Sequence, residues 1–418
     1  MISKEIKQQK LVLLTNRFPF LPGEQFLETE IKYLAEQFNE VHIIPVNASS
    51  KINGRKVPSN VIIYDDFSIN SNKYSKFVHY TLRVFSSKQG RLWFGKDFSR
   101  ARGIHPKCQF ILLSWLGTAL HLKDFIKAKF GEELEDHIFY SYWLSTSALA
   151  LALLKEEFPG VKAVSRAHRG DLYAYAHVPE YLPLQKEIIE RLNKVFVISE
   201  DGKNYLLNEH GGSIVEKIRI ERLGSLKAPS FSKRSADNVL RIASCSFLSP
   251  VKRVHLILDA LKSISDIPIE WRHIGDGELR REIEGQINEL PNNIQVKLLG
   301  NMDNKDVIKN YIDQPVDLFI NVSKSEGVPV SIMEAFSCAI PVLATDVGGT
   351  SELVDEHNGI LVPPDVTAEE LSLTIKDFYH SSGEQKNQKS ENAFKKWSEE
   401  YNAEKNYLLF TVSLKKGD

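Results

Sequence analysis

Two glutamates, Glu326 and Glu334, flank the start of a predicted helix, and their spacing has chemical consequences. The segment between them begins with Gly327, Val328 and Pro329. Glycine lets a backbone approach a ligand closely, and proline fits the first helical turn, where its missing N–H is no loss. The unpaired N–H groups of a helix start form an anion site.

Carboxylates on both sides of such an anion site suit a ligand that carries hydroxyl groups on both sides of a phosphate. A sugar nucleotide has this layout, because its diphosphate lies between a sugar and a ribose. The alternative is a solvated pair of glutamates beside an ordinary helix start. Two glutamates at this spacing occur often by chance, so the choice depends on the surrounding sequence.

Alternating strand and helix patterns surround this segment. Strands are predicted at 11–14, 41–46, 137–141, 162–166, 194–199, 239–244, 269–274, 294–299, 317–321 and 342–345. Helices are predicted at 24–38, 145–157, 184–192, 200–209, 254–263, 278–289, 304–313, 330–338 and 368–379. This alternation predicts an α/β fold with parallel sheets and helices on both faces.

A polar, serine-rich stretch at 224–238 interrupts the alternation and is interpreted as a linker. We therefore predict two doubly wound, Rossmann-like domains at 1–225 and 239–390, joined by a linker at 226–238. A helical, aromatic segment at 391–418 is expected to return to the first domain. Ligands of such sheets bind at the carboxyl ends of the strands, and two facing domains would form a cleft for them.

Composition excludes several classes of protein. The chain has 418 residues, 42% of them hydrophobic and 26% charged, which is typical of a globular protein of two or three domains. Its net charge of −1 disfavours a general nucleic-acid binder, and its three cysteines cannot form a disulfide framework. The N-terminus lacks the apolar core of a signal peptide, and no apolar run is long enough to span a membrane. These features predict a cytoplasmic protein.

Several segments of the second half carry a family pattern beyond the two glutamates. They lie at 274–279, 298–300, 325–336, 339–345, 348–353 and 358–362. In order and spacing they resemble the retaining glycosyltransferases of family 4, which have the GT-B fold. The first half is similar more loosely, through 165–173 and 197–200. The Phe-Pro-Phe-Leu-Pro-Gly-Glu loop at 18–24 resembles a bacterial surface-polysaccharide branch.

The resemblance implies a donor site in the second half. Glu326 would bind hydroxyls of the donor sugar near the reacting carbon. Glu334 would bind the ribose. Amides near Gly327, Val328 and Pro329 would hold the diphosphate.

The resemblance also implies roles for residues outside this segment. Lys252 is similar to the phosphate-binding lysine of the family, and His168 to its histidine near the donor sugar. Gly275 and Gly300 would line the pocket for the base. Gly23 would lie on the acceptor side. Without this context, His168 would be a structural or surface histidine and Lys252 a surface lysine.

Two positions depart from the family pattern. Phe247 stands where the family has an arginine that helps neutralise the leaving diphosphate. Arg253 and Arg166 are candidates to supply the missing cation. The loop at 18–24 has one glycine where many relatives have two. This puts contacts of that loop with acceptor and phosphate in doubt.

Metal ligands and cofactor motifs are not evident in the sequence. It contains no Asp-x-Asp, no His/Asp/Glu cluster with metal-ligand spacing and no G-x-G-x-x-G after the first strand. We expect no resident cofactor and no metal requirement, with the nucleotide sugar as a substrate. The diphosphate would then be stabilised by the helix start and Lys252.

An insert at 73–107 concentrates positive charge and aromatic residues, with Asp97 as its one acid. This composition suits an anionic membrane surface, which would bring the protein to a lipid-linked acceptor on the inner face of the cell membrane. The alternative is a solvated helix pair whose aromatic residues form core. Nucleic acid is not expected as a partner.

These features predict a retaining glycosyltransferase of hexosyltransferase type, acting from a nucleotide sugar on a glycan or lipid-linked acceptor in bacterial polysaccharide synthesis. A nucleotide-sugar epimerase of related fold fits the context of Glu326 and Glu334 less well. A non-catalytic partner subunit that binds a sugar nucleotide or glycan is the alternative from another class. Phe247 is the reason to keep it.

Overall fold

The structure is a computed structural model that describes residues 9–47, 54–68 and 73–416, without the side chains of 73–76. The chain divides into two compact units. The first comprises the described residues up to Glu221 and those from Tyr407 onward, and the second comprises Arg222–Asn406.

Parallel strands form the sheet of the first unit. They are β1 (Lys10–Thr15), β2 (Glu40–Pro45), β3 (Val61–Ile63), β4 (His137–Ser141), β5 (Lys162–Ala167), β6 (Lys194–Val197) and β7 (Ile218–Ile220). Their order is β3-β2-β1-β4-β5-β6-β7, and neighbouring strands are parallel throughout. Strands β1 and β4 are buried along almost their whole length, as expected where helices cover both faces of a sheet.

The helices of this unit include an unexpected group. They are α1 (Leu27–Gln37), α2 (Lys73–Ser86), α3 (Lys88–Ile104), α4 (Pro106–Phe130), α5 (Thr146–Glu157), α6 (Arg169–Leu172), α7 (Gln185–Arg191) and α8 (Glu200–His210). The sequence pattern predicted neither α4 nor the bounds of α2 and α3. Helix α4 buries residues on several sides, so it lacks the single apolar stripe that marks a surface helix.

The second unit also has a parallel sheet, with six described strands. The strands are β8 (Leu240–Cys245), β9 (Ile269–Ile274), β10 (Ile294–Leu298), β11 (Leu318–Asn321), β12 (Val342–Thr345) and β13 (Gly359–Val362). The helices are α9 (Val254–Lys262), α10 (Arg280–Ile287), α11 (Asn304–Asp313), α12 (Val330–Ser337), α13 (Thr350–Leu353), α14 (Ala368–His380) and α15 (Gly383–Glu400). The strand order is β10-β9-β8-β11-β12-β13, again all parallel. The predicted α/β fold with two Rossmann-like sheets is confirmed.

Each sheet has one place where the direction of strand order reverses. In the first sheet this switch point lies between β1 and β4, and in the second between β8 and β11. Open parallel sheets bind ligands outside the carboxyl ends of the strands at the switch point, because the two connections there leave in opposite directions and open a crevice. The loops after Thr15, Ser141, Cys245 and Asn321 therefore lie where a site is expected.

The unit boundary differs from the predicted linker at 226–238. Within the second unit, the Ser232 N–H donates to the Cys338 carbonyl at 2.9 Å, and the Ser235 N–H donates to the Asp317 carboxylate at 2.9 Å. The stretch thus packs as part of that unit, because its polar backbone finds partners there. Trp397, on α15, donates to the Ser225 hydroxyl at 2.9 Å, which keeps 222–225 in the same unit.

The final helix, α16 (Ala403–Lys416), contributes its described residues from Tyr407 onward to the first unit. Phe410 packs against Tyr140 and Phe196, with ring centroids 5.3 and 5.2 Å apart. It also lies beneath the guanidinium of Arg166, 3.8 Å away, and Arg166 pairs with the buried Glu30 at 2.7 Å.

In the described ranges, no helix combines the length and apolar character needed to cross a membrane.

Candidate functional site

The loop between β11 and α12 carries Glu326 and is held from three sides. The Lys324 N–H donates to the Val251 carbonyl at 2.8 Å, the Gly349 N–H to the Gly327 carbonyl at 2.7 Å, and the Thr345 hydroxyl to the Ser323 carbonyl at 2.6 Å. The side chain of Glu326 is nearly buried. The loop therefore presents this carboxylate from a fixed backbone.

Gly348 is required by this loop. Its φ is +54°, and a Cβ there would lie 2.1 Å from the carbonyl oxygen of Glu326. No side chain fits such a distance, since the obstacle is backbone rather than a flexible side chain. The pair Gly348 and Gly349 thus supports the loop that carries Glu326.

Glu326 and Lys252 meet at the switch point of the second sheet. The Lys252 ammonium donates to Glu326 Oε1 at 2.6 Å, and the Asn321 amide lies 3.4 Å from the same oxygen. Lys252 ends a 3₁₀ turn (Pro250–Lys252) after β8, whereas Glu326 follows β11. An ammonium has three donors, so Lys252 can keep this bond and still donate to a phosphate oxygen.

Helix α12 begins at Val330, as the sequence pattern predicted, and Pro329 is its N-cap rather than part of its first turn. The first amides of a helix have no acceptor inside the helix, so Val330 and Ser331 direct N–H groups outward from its start. Pro329 itself has no N–H, so the predicted contact of amides near Gly327, Val328 and Pro329 with a diphosphate would come from its neighbours, and it stays a prediction.

Glu334 lies on α12 in a buried environment. Burial raises the pKa of its carboxyl group to about 7, and a hydrogen bond from the Asn304 amide partly offsets that rise. Asn304 is the first residue of α11, and no sequence pattern indicated this contact. A carboxyl with this pKa is partly protonated at neutral pH, so its capacity to accept hydrogen bonds from hydroxyls changes with pH.

Gly275 and Gly300 lie at the carboxyl ends of β9 and β10 and bond to each other. The Gly275 N–H donates to the Gly300 carbonyl at 2.8 Å. Gly275 has a φ of +134°, and a Cβ there would lie 1.9 Å from the Ser246 carbonyl. The close approach of these loops to the one after β8 thus depends on glycine. Their predicted contact with the base of a nucleotide stays a prediction.

His168 follows β5 in the first unit and is packed among aromatic rings. Its ring centroid lies 4.7 Å from that of Tyr142 and 4.8 Å from that of Trp143. Among the described residues, neither of its ring nitrogens has a hydrogen-bond partner. Burial, and secondly the nearby charge of Arg166, hold the pKa of His168 well below its usual value, so the imidazole is neutral at physiological pH.

The loop that contains Gly23 is organised by Glu24, to which the sequence analysis assigned no role in a site. The Glu24 carboxylate accepts hydrogen bonds from the N–H groups of Asn16, Arg17 and Phe18, at 2.9, 2.6 and 2.6 Å. These amides are therefore already satisfied and do not form an open phosphate site. Gly23 has a φ of +91°, and a Cβ at this position would meet no described atom within 4 Å. Its predicted place on the acceptor side stays a prediction.

The two arginines predicted to replace the family arginine have other partners. Phe247, which stands at the family position, is 65% exposed. Arg166 is fully buried in its pair with Glu30, which argues against it as the candidate for the missing cation. The Arg253 Nε donates to the Val322 carbonyl at 2.8 Å, which supports the loop before Glu326.

Comparison with known proteins gives these features a context. Residues 229–396 match the family model described as glycosyl transferases group 1. Over 116 residues, 28% of this chain, the sequence is 40% identical to the O-antigen biosynthesis glycosyltransferase WbnH of Escherichia coli. The match spans 31% of that relative, and between 30% and 42% of the other leading curated relatives.

Solved structures share the fold over nearly the whole chain. The lipopolysaccharide outer core galactosyltransferase WaaB matches with a TM-score of 0.67 and 13% identity, covering 97% of this chain and 99% of that one. The Anabaena protein HepE in complex with UDP-glucose matches with a TM-score of 0.62 and 15% identity, covering 97% and 99%. The two Rossmann-like sheets thus have the fold of GT-B glycosyltransferases, as the sequence predicted.

Proposed function

We propose that this chain is a retaining glycosyltransferase that moves a hexose from a nucleotide sugar to a hydroxyl of a glycan or lipid-linked acceptor in bacterial polysaccharide synthesis. The contact between Lys252 and Glu326 carries the proposal, because it joins a cation and a carboxylate at a switch point beside an open helix start. It also lies within the residues that match the glycosyltransferase family model.

The chemistry assigns a separate task to each group. Lys252 and the amides at the start of α12 neutralise charge that develops on the leaving diphosphate, which is the type of stabilisation that contributes most to catalysis. Glu326 accepts hydrogen bonds from hydroxyls of the donor sugar. Glu334 accepts hydrogen bonds from the ribose. His168, which is neutral, contacts the donor sugar.

In the proposed reaction, the bond between the anomeric carbon and the diphosphate oxygen breaks as the acceptor oxygen attacks from the same face. The acceptor proton passes to the departing diphosphate oxygen. This accounts for retention without a separate protein base. A uridine nucleotide is the first donor class to test, since HepE shares the fold and was solved with UDP-glucose.

The proposal includes catalysis without a metal ion. In the described part of the chain, no group of three or more His, Cys, Asp or Glu side chains is arranged to hold one. The cationic side chain of Lys252 and the amides at the start of α12 would supply the countercharge for the diphosphate, a task that a divalent ion performs in metal-dependent enzymes.

A non-catalytic subunit that binds a sugar nucleotide is the second candidate. Phe247 favours it, because an exposed phenyl ring replaces a cation that the family uses at the diphosphate. The purified chain, incubated with a panel of nucleotide sugars, distinguishes the two. A ligand bound to the native state raises Tm in both cases, but only the enzyme releases nucleoside diphosphate over time.

We further propose that α2 and α3 bind an anionic membrane surface. Exposed cations and exposed apolar side chains both occur within residues 77–107, which cover most of α2, all of α3 and the start of α4. The cations are Lys88, Arg91, Lys96, Arg100, Arg102 and Lys107, and the apolar residues are Phe77, Val78, Leu82, Phe85, Leu92 and Ile104. A mixed surface of this kind suits the interface of an anionic bilayer.

Not every aromatic residue of the insert contributes to this surface. Trp93 is fully buried and donates to the Glu156 carboxylate at 2.7 Å. Asp97 is also buried and accepts hydrogen bonds from the Tyr181 hydroxyl at 2.6 Å and the Leu184 N–H at 2.9 Å. The alternative of an aromatic core is therefore correct for Trp93, whereas Phe77 and Phe85 are 47% and 45% exposed.

Vesicle sedimentation tests the membrane surface. Replacing Lys88, Arg102 and Lys107 with Gln should weaken binding to vesicles that contain anionic lipid, and added salt should release the wild type, because exposed charges are screened. The charge-matched control replaces Lys297, Lys305 and Lys309 of the second unit. Equal binding to neutral and anionic vesicles would contradict the proposal.

A further inference from the structure

Glu24 makes a contact that reaches beyond its own loop. Besides the three backbone amides after β1, its carboxylate accepts a hydrogen bond from Trp143 Nε1 at 2.7 Å. Trp143 follows β4, on the other side of the switch point in the first sheet. One buried carboxylate therefore ties together the two loops that leave this switch point.

Trp143, which is hydrogen-bonded to Glu24, also contacts His168. The indole ring contacts the imidazole ring of His168, and Phe26 and Tyr142 complete the aromatic wall, with Phe26 5.9 Å from Trp143 and 5.4 Å from Tyr142. An indole whose N–H is held by a carboxylate cannot rotate without losing that bond. The orientation of the ring against His168 is thus set by Glu24.

A second carboxylate holds the other end of the same loop. Asp171 accepts hydrogen bonds from the Leu144 N–H and, at 2.6 Å, from the His168 N–H. The loop after β4 is therefore fastened to the backbone at His168 as well as to Glu24. The backbone and the indole are held separately, so removal of the indole contact should free the ring while leaving the backbone in place.

The Glu24 site requires a carboxylate rather than any polar group. Two oxygens receive four N–H donors, and hydrogen bonds to a charged acceptor are the strong ones. A glutamine would offer one acceptor oxygen and turn its NH₂ group toward donors. Glu24 also has a φ of +55°, a conformation that a residue other than glycine adopts only when its surroundings impose it.

We propose that Glu24 is a positioning residue for sugar transfer, which acts on His168 through the indole of Trp143. The inference rests on the proposed function, in which His168 contacts the donor sugar. Glu24 itself touches no substrate. Its contribution is to keep the aromatic wall and the imidazole in one arrangement, because an ångström of misplacement at a reacting centre lowers the rate by up to about 10²-fold.

The test compares Glu24→Gln, Trp143→Phe and the double variant in a UDP-sugar turnover assay. Each single change should lower kcat between about 10- and 100-fold with little change in donor KM. Trp143→Phe keeps an aromatic ring and all three amide bonds of Glu24, so it should fold even if Glu24→Gln does not. The double variant should be no slower than the slower single variant, because both changes break one connection.

Glu28→Gln is the matched control, since Glu28 lies on α1 close in sequence and pairs only with Arg55 among the described residues. It should retain wild-type turnover. A measurement of UDP-induced Tm shift accompanies each assay and should be unchanged in all variants, because the donor-nucleotide residues belong to the second unit.

Three results would overturn the inference. The first is an unchanged kcat in Trp143→Phe. The second is a loss of kcat in the double variant that equals the product of the losses in the two single variants. The third is a single variant whose Tm is lower than that of the wild type but whose kcat is unchanged. Failure of the proposed function looks different: the wild type would then bind UDP without releasing product from any UDP-sugar, whatever residue stands at 24.

Discussion

The two switch points have the same topology but different contents. In the second sheet, the loops after β8 and β11 bring Lys252 and Glu326 together beside the amides that open α12. In the first sheet, the loops after β1 and β4 meet through Glu24 and Trp143, and the amides after β1 are already occupied. At one switch point the first amides of a helix have no acceptor inside that helix, whereas at the other a carboxylate of the chain satisfies the amides.

This difference shows that topology alone does not make a phosphate site. A row of backbone amides binds a phosphate only if no side chain of the protein satisfies the amides first. In the first unit, Glu24 does so, which agrees with the doubt raised by the single glycine of its loop. In the second unit, the amides of Val330 and Ser331 have no acceptor within α12 and lie close in sequence to Glu326.

The largest effect is expected at the carboxylate of the second switch point. Glu326→Ala should lower kcat by about 10²–10³-fold while the affinity for UDP changes little, because its contacts with the sugar strengthen in the transition state. Steady-state kinetics and UDP titration of the same preparation check this. Wild-type turnover in Glu326→Ala would mean that the pair of Lys252 and Glu326 is structural. The second switch point would then not differ from the first in having a catalytic role.

The cation should matter for both binding and rate. Lys252→Met should lower kcat/KM by about 10²-fold and weaken UDP binding, because the diphosphate loses a charged donor. Lys262→Met is the control, since Lys262 also pairs with a glutamate, Glu289, at 2.9 Å, but lies at the end of α9, from which the chain enters the amino end of β9. Similar losses in both variants would show that a broken ion pair, rather than a lost phosphate contact, causes the effect.

A smaller effect concerns Glu334 and pH. Its carboxyl has a pKa of about 7, and the ionised form is the better acceptor for ribose hydroxyls, so affinity should rise with pH. Between pH 6 and pH 8 the ionised fraction rises by close to an order of magnitude, and the affinity for UDP-glucose should increase by up to about tenfold. UDP-glucose is the suitable probe because its diphosphate does not titrate in this range.

The variant Glu334→Gln provides the control for this pH dependence. It cannot ionise, so its affinity should be nearly constant between pH 6 and pH 8 and lower than that of the wild type at pH 8. Isothermal titration at the two pH values measures both quantities. An unchanged pH dependence in Glu334→Gln would assign the titration to another group.

Removal of metal ions is expected to have the smallest effect. Turnover should persist in excess chelator, since Lys252 and the helix amides provide the countercharge for the diphosphate. The measurement is the initial rate before and after dialysis against chelator. Loss of activity that magnesium or manganese restores would show that a cation contributes at the second switch point.

Local patterns in the sequence were sufficient for the fold and for the choice of a candidate site. The spacing of apolar residues, which differs between strands and helices, predicted β8 to β12 and the helices between them. This is possible because the spacing within each element reflects which of its side chains are buried. The context of Glu326, Gly327 and Glu334 was also readable, since these residues lie within one contiguous loop and helix. The helix α4 was missed because a helix buried on several sides has no polar stripe.

Tertiary structure alone decided which side chains meet. Glu24 and Trp143 are separated by 119 positions, Lys252 and Glu326 by 74, and Asn304 and Glu334 by 30. Hydrophobic periodicity reports how a segment faces the core, but it contains no information on which loops converge at a sheet edge. The sequence therefore determined two parallel α/β units and a candidate anion site. Folding decided that one switch point pairs a lysine with a glutamate while the other is closed by its own carboxylate.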